Sequence, residues 1–175
     1  MRKLLITSLL VGGAALVAAQ APAQAPPPAA PAAVPEQMPF DIPYGPPITL
    51  ERAMQAAAAA AAEAKKHNWK LAISVVDPNG DLVFFQKLDG TQVASVAISQ
   101  GKARTAARYR RETRTFFNAM ETGHPYIATL DPTLVASPGG FPLMDGGKLI
   151  GAIGCSGGTG DQDAVACKAG SAAFM

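Results

Sequence analysis

The run Gly154-Cys155-Ser156-Gly157-Gly158-Thr159-Gly160-Asp161-Gln162-Asp163 carries the densest chemistry in the chain. A strand entering a glycine loop that opens a helix presents backbone N–H groups and the positive end of a helix dipole, which suits a carboxylate or phosphate. No Gly-Lys-Ser/Thr follows, and acidic residues sit at the helix start, so this is not a Walker-type phosphate loop. The same residues also suit plain capping, with Thr159 or Asp161 as N-cap and the glycines supplying a tight turn. Ser156 has no His/Asp partner at a known spacing, so a hydrolase triad is unsupported.

A second cluster is basic. Between Gly101 and Arg114 lie Lys102, Arg104, Arg108, Arg110, Arg111 and Arg114, opposed by Glu112 alone. Arg104, Arg108 and Arg111 follow i, i+4, i+7 spacing and are predicted to share a helix face. Guanidinium forks bind carboxylates well, so Arg104 or Arg108 would suit the propionates of a tetrapyrrole; a solvated face or a subunit contact is the competing reading. The two histidines offer no metal cluster. His67 falls where a helix ends and caps it, whereas His124, in Gly123-His124-Pro125, lies in a loop as a candidate axial haem ligand or proton carrier. No Cys-x-x-Cys-His occurs, which removes covalent haem attachment by that motif. Cys155 ends a strand and Cys167 lies in the helix that follows and folds back over it, so the two are read as a disulfide rather than as two buried thiols. Eleven residues separate them, and closing a loop of that size contributes about 2–3 kcal/mol in an oxidising compartment.

These groups must be held by elements that the pattern predicts. Thr49 is a good N-cap for a helix from Leu50 to Lys66, with Glu51 complementing the dipole and an alanine block at 56–62 suited to close packing against a sheet. Lys70 to Asp77 reads as a strand with Leu71, Ile73 and Val75 on one face. Pro78-Asn79-Gly80-Asp81 turns it back into a strand from Leu82 to Lys87. Residues 92–109 and Arg114 to Met120 read as helices, and 121–140 as loop. Phe141 to Met144 and Lys148 to Cys155 form a second hairpin about Asp145-Gly146-Gly147, followed by a helix from Asp161 to the end. Helix, hairpin, helices, hairpin, helix without a β-α-β repeat predicts an α+β domain with an antiparallel sheet.

The amino-terminal end predicts export. Arg2 and Lys3 precede an apolar run from Leu4 to Ala19 and then small residues, the build of a signal peptide and too short to hold as a membrane span. Cleavage is expected after Ala23, since the alternative site after Ala25 would place Pro26 next to the cut. That gives a signal peptide over 1–23 and no stable membrane insertion afterwards. Residues 24–47 form a Pro/Ala-rich tether: ten of the fifteen prolines lie between Pro22 and Pro47, a composition that stays extended. Its apolar end, Met38 to Gly45, is expected to lie down on the domain or on a neighbouring subunit. Of 15 Lys+Arg, two are Arg2 and Lys3, so the mature chain balances its 13 Asp+Glu. Neutrality argues against non-specific nucleic-acid binding. The remaining residues, 48–175, suffice for one core.

Several separated motifs, taken together, resemble one family. Ile48-Thr49-Leu50-Glu51, Ile73-Ser74-Val75-Val76-Asp77 with Gly80, Asp89-Gly90, Lys102-Ala103-Arg104-Thr105-Ala106, and Gly151-Ala152-Ile153-Gly154-Cys155-Ser156-Gly157 with Gln162-Asp163 are similar to the GlcG/HbpS family, which includes the PduO C-terminal domain. The likeness spans residues 48–174. It implies a single compact α/β (α+β) domain, with an antiparallel sheet of about five strands flanked by helices, assembling into dimers and larger homo-oligomers. It implies haem as a cofactor, with some members haem-degrading or corrinoid-associated. By motif, Lys102, Thr105, Ser156, Gly157, Gln162 and Asp163 carry over as the pocket wall.

Three functions follow as expectations. The first is a periplasmic or secreted haem- or tetrapyrrole-binding protein acting as carrier, sensor or buffer. The second is an enzyme on a small carboxylate or oxidised metabolite, with the glycine loop holding the anion and Asp163 or Lys102 moving protons. The third is an accessory subunit of a periplasmic oxidoreductase, docked through the tether.

Overall fold

The computed structural model describes residue 34, residues 36–38 and residues 40–174. The predicted signal peptide and half of the predicted tether lie outside the described residues. Thr49 has extended backbone and its side-chain oxygen accepts the Arg52 amide, which starts α1 (Leu50–Lys66) at the residue the sequence predicts. Its buried face is alanine throughout: Ala53, Ala56, Ala57, Ala60, Ala61 and Ala64. The small side chains admit a second helix. A Cβ placed on Gly170 would stand 2.8 Å from the Ala56 carbonyl oxygen and 3.2 Å from the Ala60 Cβ. His67 closes α1 with its amide on the Ala64 carbonyl, as predicted, and its ring stacks on Trp69 at 4.3 Å.

Strand β1 (Ala72–Val76) is buried along its whole length and pairs antiparallel with β2 (Leu82–Lys87). The turn between them is held by one carboxylate: Asp77 Oδ1 accepts the amides of Asn79, Gly80 and Asp81 at 2.9–3.0 Å. Helix α2 (Ser95–Tyr109) begins three residues later than predicted. It ends because Arg110 adopts φ 54°, a left-handed conformation that no helix continues through. Then come α3 (Arg114–Glu121), a 3-10 turn over Pro125–Thr129, β3 (Gly140–Asp145), β4 (Lys148–Ser156) and α4 (Gly160–Ser171). The β3–β4 turn takes positive φ at Gly146 and Gly147, a pair suited to a two-residue hairpin loop.

The sheet runs β2-β1-β4-β3 and is antiparallel throughout. It has four strands where about five are predicted. In place of a fifth, Tyr44 makes a single parallel bridge to Leu149. Pro43, Pro46 and Pro47 surround it and cannot donate to a ladder, so the pairing stops there.

Helices α1 and α4 cover one face of the sheet, where Leu71, Ile73, Val75, Leu143, Ile153 and Cys155 meet the alanine face of α1. Helix α2 covers the other face, and it sits unusually close. Ser74, Gly154 and Gly140 lie side by side across β1, β4 and β3. A Cβ on Gly154 would overlap the Ser99 carbonyl oxygen, and one on Gly140 would stand 2.5 Å from the Lys102 carbonyl oxygen. The Ser74 and Ser99 hydroxyls meet at 2.8 Å between them. No space for a ligand remains between α2 and this row.

Candidate functional site

The glycine loop is closed by its own residues. Thr159 caps α4: its hydroxyl accepts the Gln162 amide at 3.3 Å, and Gln162 Oε1 accepts the Thr159 amide at 2.9 Å. This is a reciprocal capping box. The Gly158 amide donates to Asp163 Oδ1 at 3.0 Å. The other oxygen of that carboxylate, Oδ2, accepts Lys102 Nζ at 2.7 Å. Loop donors that would suit an anion thus already meet a side-chain carboxylate and an amide.

Lys102 and Asp163 are 1% and 2% exposed. Gly139 lies against the pair, with its notional Cβ 2.8 Å from the Asp163 Cβ and 3.3 Å from Lys102 Nζ. Burial lowers the Lys102 pKa, and the charge and hydrogen bond of Asp163 oppose that shift. Ser156 is buried too, donating to the Ser95 hydroxyl at 3.3 Å, and a side chain at Gly157 would run into the Lys70 carbonyl. The structure therefore brings together Lys102, Ser156, Gly157, Gln162 and Asp163, but as a closed junction of α2, β4 and α4. Thr105, one turn along α2, accepts the Val135 amide at 2.9 Å and pins the loop before β3. Cys155 and Cys167 are disulfide-bonded, with Cα atoms 5.6 Å apart, and tie β4 to α4 beside this junction.

The basic cluster divides into two groups at Arg110. Arg104 Nε donates to the Gly80 carbonyl at 3.2 Å, and Arg108 Nε donates to the Asn79 carbonyl at 2.9 Å. Both guanidiniums thus engage the β1–β2 turn. Arg108 also lines a cleft of about 560 Å³ with Tyr44, Pro47 and Pro78. Arg111 does not share their face, because the left-handed residue before it turns the chain away.

Arg110 and Arg111 instead grip the end of the tether. Arg110 Nη1 donates to the Ile42 carbonyl at 2.8 Å, and its guanidinium lies 5.4 Å from the Tyr44 ring centre. The Arg111 guanidinium sits 3.3 Å over the Phe40 ring. Burial, and then the adjacent Arg110, lower the Arg111 pKa. The Tyr44 hydroxyl donates to the Arg108 carbonyl at 2.9 Å. The apolar end of the tether lies down on the domain, one of the two placements its composition allows.

Beside the edge strand β3 this arrangement leaves an open, largely apolar cleft of about 430 Å³. Its apolar walls are Phe40 and Ile42 from the tether end and Phe141, Pro142 and Met144 from β3. Arg110, Arg111 and Lys168 bring three cations to it, against the single carboxylate of Glu112. Sequence reasoning did not assemble this site. One signal was available: a proline inside a strand, Pro142, marks an edge strand. His124 is not among the residues lining the cleft; it is exposed after α3, its ring 6.1 Å from that of Tyr126. Among the described residues there is no group of three or more His, Cys, Asp or Glu that could hold a metal ion, and no helix long and apolar enough to cross a membrane.

A family model described as haem degrading protein HbpS-like matches residues 48–172. The chain belongs to the HbpS-like family. Protein GlcG of Escherichia coli (strain K12) is 40% identical over 94 residues, 54% of this chain and 69% of GlcG. A double mutant of Streptomyces reticuli HbpS superposes with a TM-score of 0.69 at 28% identity, covering 83% of this chain and 99% of that one. A PduOC:heme complex superposes with a TM-score of 0.67 at 25% identity, covering 73% of this chain and 94% of that one. The HbpS-like match begins at Ile48, so the tether residues Phe40 and Ile42 lie outside it, while Arg110, Arg111, Met144 and Lys168 lie within it.

Proposed function

We propose that this protein is an exported haem- or tetrapyrrole-binding protein of the periplasm or cell exterior, acting as carrier, sensor or buffer. We place its ligand in the cleft beside β3. The observation that carries this reading is the convergence of an apolar wall with three cations at one edge of the sheet. Flat macrocycles with two carboxylates need that combination: apolar surface for the ring and guanidinium or ammonium groups for the acids. Arg110, Arg111 and Lys168 would bind the carboxylates, while Phe40, Ile42 and Phe141 exclude water from the ring. Bound haem would supply an iron centre for ligand exchange or electron transfer. The family description and the heme complex of the PduOC neighbour support the ligand class.

The reading as an enzyme on a small carboxylate placed the anion on the glycine loop. The amides of Gly158 and Thr159 are taken by Asp163 and Gln162, so no specific observation favours it.

A haemin titration of the chain from residue 24 onward, followed by its Soret band, tests the proposal. A saturable band that weakens in the Arg110→Ala, Arg111→Ala double variant supports it. Absence of any saturable band would sink it.

A further inference from the structure

We infer that the Met144 thioether, rather than the His124 imidazole, is the side chain of this protein that ligates the iron of a haem held beside β3. The inference rests on the proposed reading of the cleft and assigns one atom within it. The side chains that usually ligate haem iron are imidazole, thiolate, thioether and phenolate. His67 is stacked on Trp69 at the end of α1, on a different part of the molecule. Cys155 and Cys167 are consumed by their disulfide. His124 and the tyrosines are not among the residues lining the cleft, and Met144 is.

The β3–β4 register shifts between Leu143 and Met144, an irregularity of the kind that redirects side chains at sheet edges. Met144 remains half-buried there, beside a two-residue turn. An unbranched thioether adapts its position through three rotatable bonds, so it can meet a metal centre without movement of the backbone. Pro142 has no N–H to offer at this edge. The three cations of the cleft lie on α4 and on the segment after α2, both separate from the strand that carries the sulfur.

The test is a haemin titration of the purified protein and of three variants: Met144→Leu, which conserves volume, Met144→His and His124→Ala. Oxidised and reduced spectra and the reduction potential are recorded for each. Met144→Leu should still bind haemin with unchanged stoichiometry, but lose the thioether-to-iron charge-transfer band and shift to a lower potential. Met144→His should give an imidazole-type spectrum, and His124→Ala should match the parent. Circular dichroism of each variant, together with the gain of a new ligand in Met144→His, separates ligation from misfolding. If the parent binds haemin and Met144→Leu keeps its spectrum and potential, this inference falls and the cleft reading stands. A spectrum altered by His124→Ala would overturn it in favour of the imidazole. If the parent shows no saturable band, the cleft reading itself has failed.

Discussion

Lys102 Nζ and Asp163 Oδ2 stand 2.7 Å apart with almost no solvent access, so an ion pair joins the helix on one face of the sheet to the helix on the other. The second carboxylate oxygen holds the Gly158 amide, which leaves the charge well compensated. Taking both charges out of water costs several kcal/mol, and only such geometry offsets it.

Removing one partner should therefore hurt more than removing both. Lys102→Met and Asp163→Asn are each expected to lower unfolding free energy by about 3–5 kcal/mol. Lys102→Met combined with Asp163→Leu should cost clearly less than the sum of the single changes. Urea denaturation of the three variants measures this, and simple additivity would mean the pair is not coupled.

The same lysine predicts an alkaline signature. Burial holds its folded-state pKa below the ordinary 10.5. As pH rises through that lowered value, the folded chain releases a proton that the unfolded chain still keeps. The unfolded state then binds more protons, so this group makes stability rise with pH up to about 10.5. Stability measured across the alkaline range in the parent and in Lys102→Met should show the rise only in the parent.

Reducing the Cys155–Cys167 bond should lower stability by about 2–3 kcal/mol, the loop-closure value for a short ring. Denaturation midpoints with and without reductant, with the thiols alkylated, read this out. An unchanged midpoint would mean that α4 is held by packing and its capping box alone.

Gly154→Ala should destabilise by about 1–3 kcal/mol or more, because the new methyl meets the backbone of α2 and has no flexible neighbour to displace. Thermal unfolding measures the loss. A neutral effect would show that α2 can lift from the sheet.

Arg110→Ala with Arg111→Ala should weaken haemin binding by about tenfold or more, the scale of lost charge-assisted hydrogen bonds. Arg104→Ala should leave affinity unchanged and loosen the β1–β2 turn instead, since its guanidinium donates to the Gly80 carbonyl. Titrations of the two variants side by side decide between the two arginine groups.

Much of the scaffold was legible in the residues. Thr49 and His67 bound α1 because capping chemistry is local, and Asp145-Gly146-Gly147 placed the second hairpin because positive φ is local too. The cysteine pair was legible from a strand end and a helix folding back over it. The arginine face was not. The predicted helix stops at residue 109, where α2 does end, yet i, i+4, i+7 spacing still grouped Arg111 with Arg104 and Arg108; the left-handed Arg110 turns it away, and nothing about an arginine announces that conformation. The glycine loop read as an anion site or, more readily, as a cap, and what decides it is that Gln162 and Asp163 already accept its amides. The cleft depends on the tether end packing on Arg110 and Arg111 near β3, a long-range contact that periodicity does not encode.

The flat row of Ser74, Gly154 and Gly140 carries a consequence for how such a chain can diverge. A helix seated on side chains of almost no height fills that face, so the residues that seat it and the residues that would select a ligand beside β3 are different sets. Exchanges at Phe40, Met144 or Lys168 leave the helix seat untouched. A lineage built on this sheet can change its cargo by drift at one rim while its interior stays under strict selection. Divergent ligands across relatives would then be a natural outcome of a shared and conservative core.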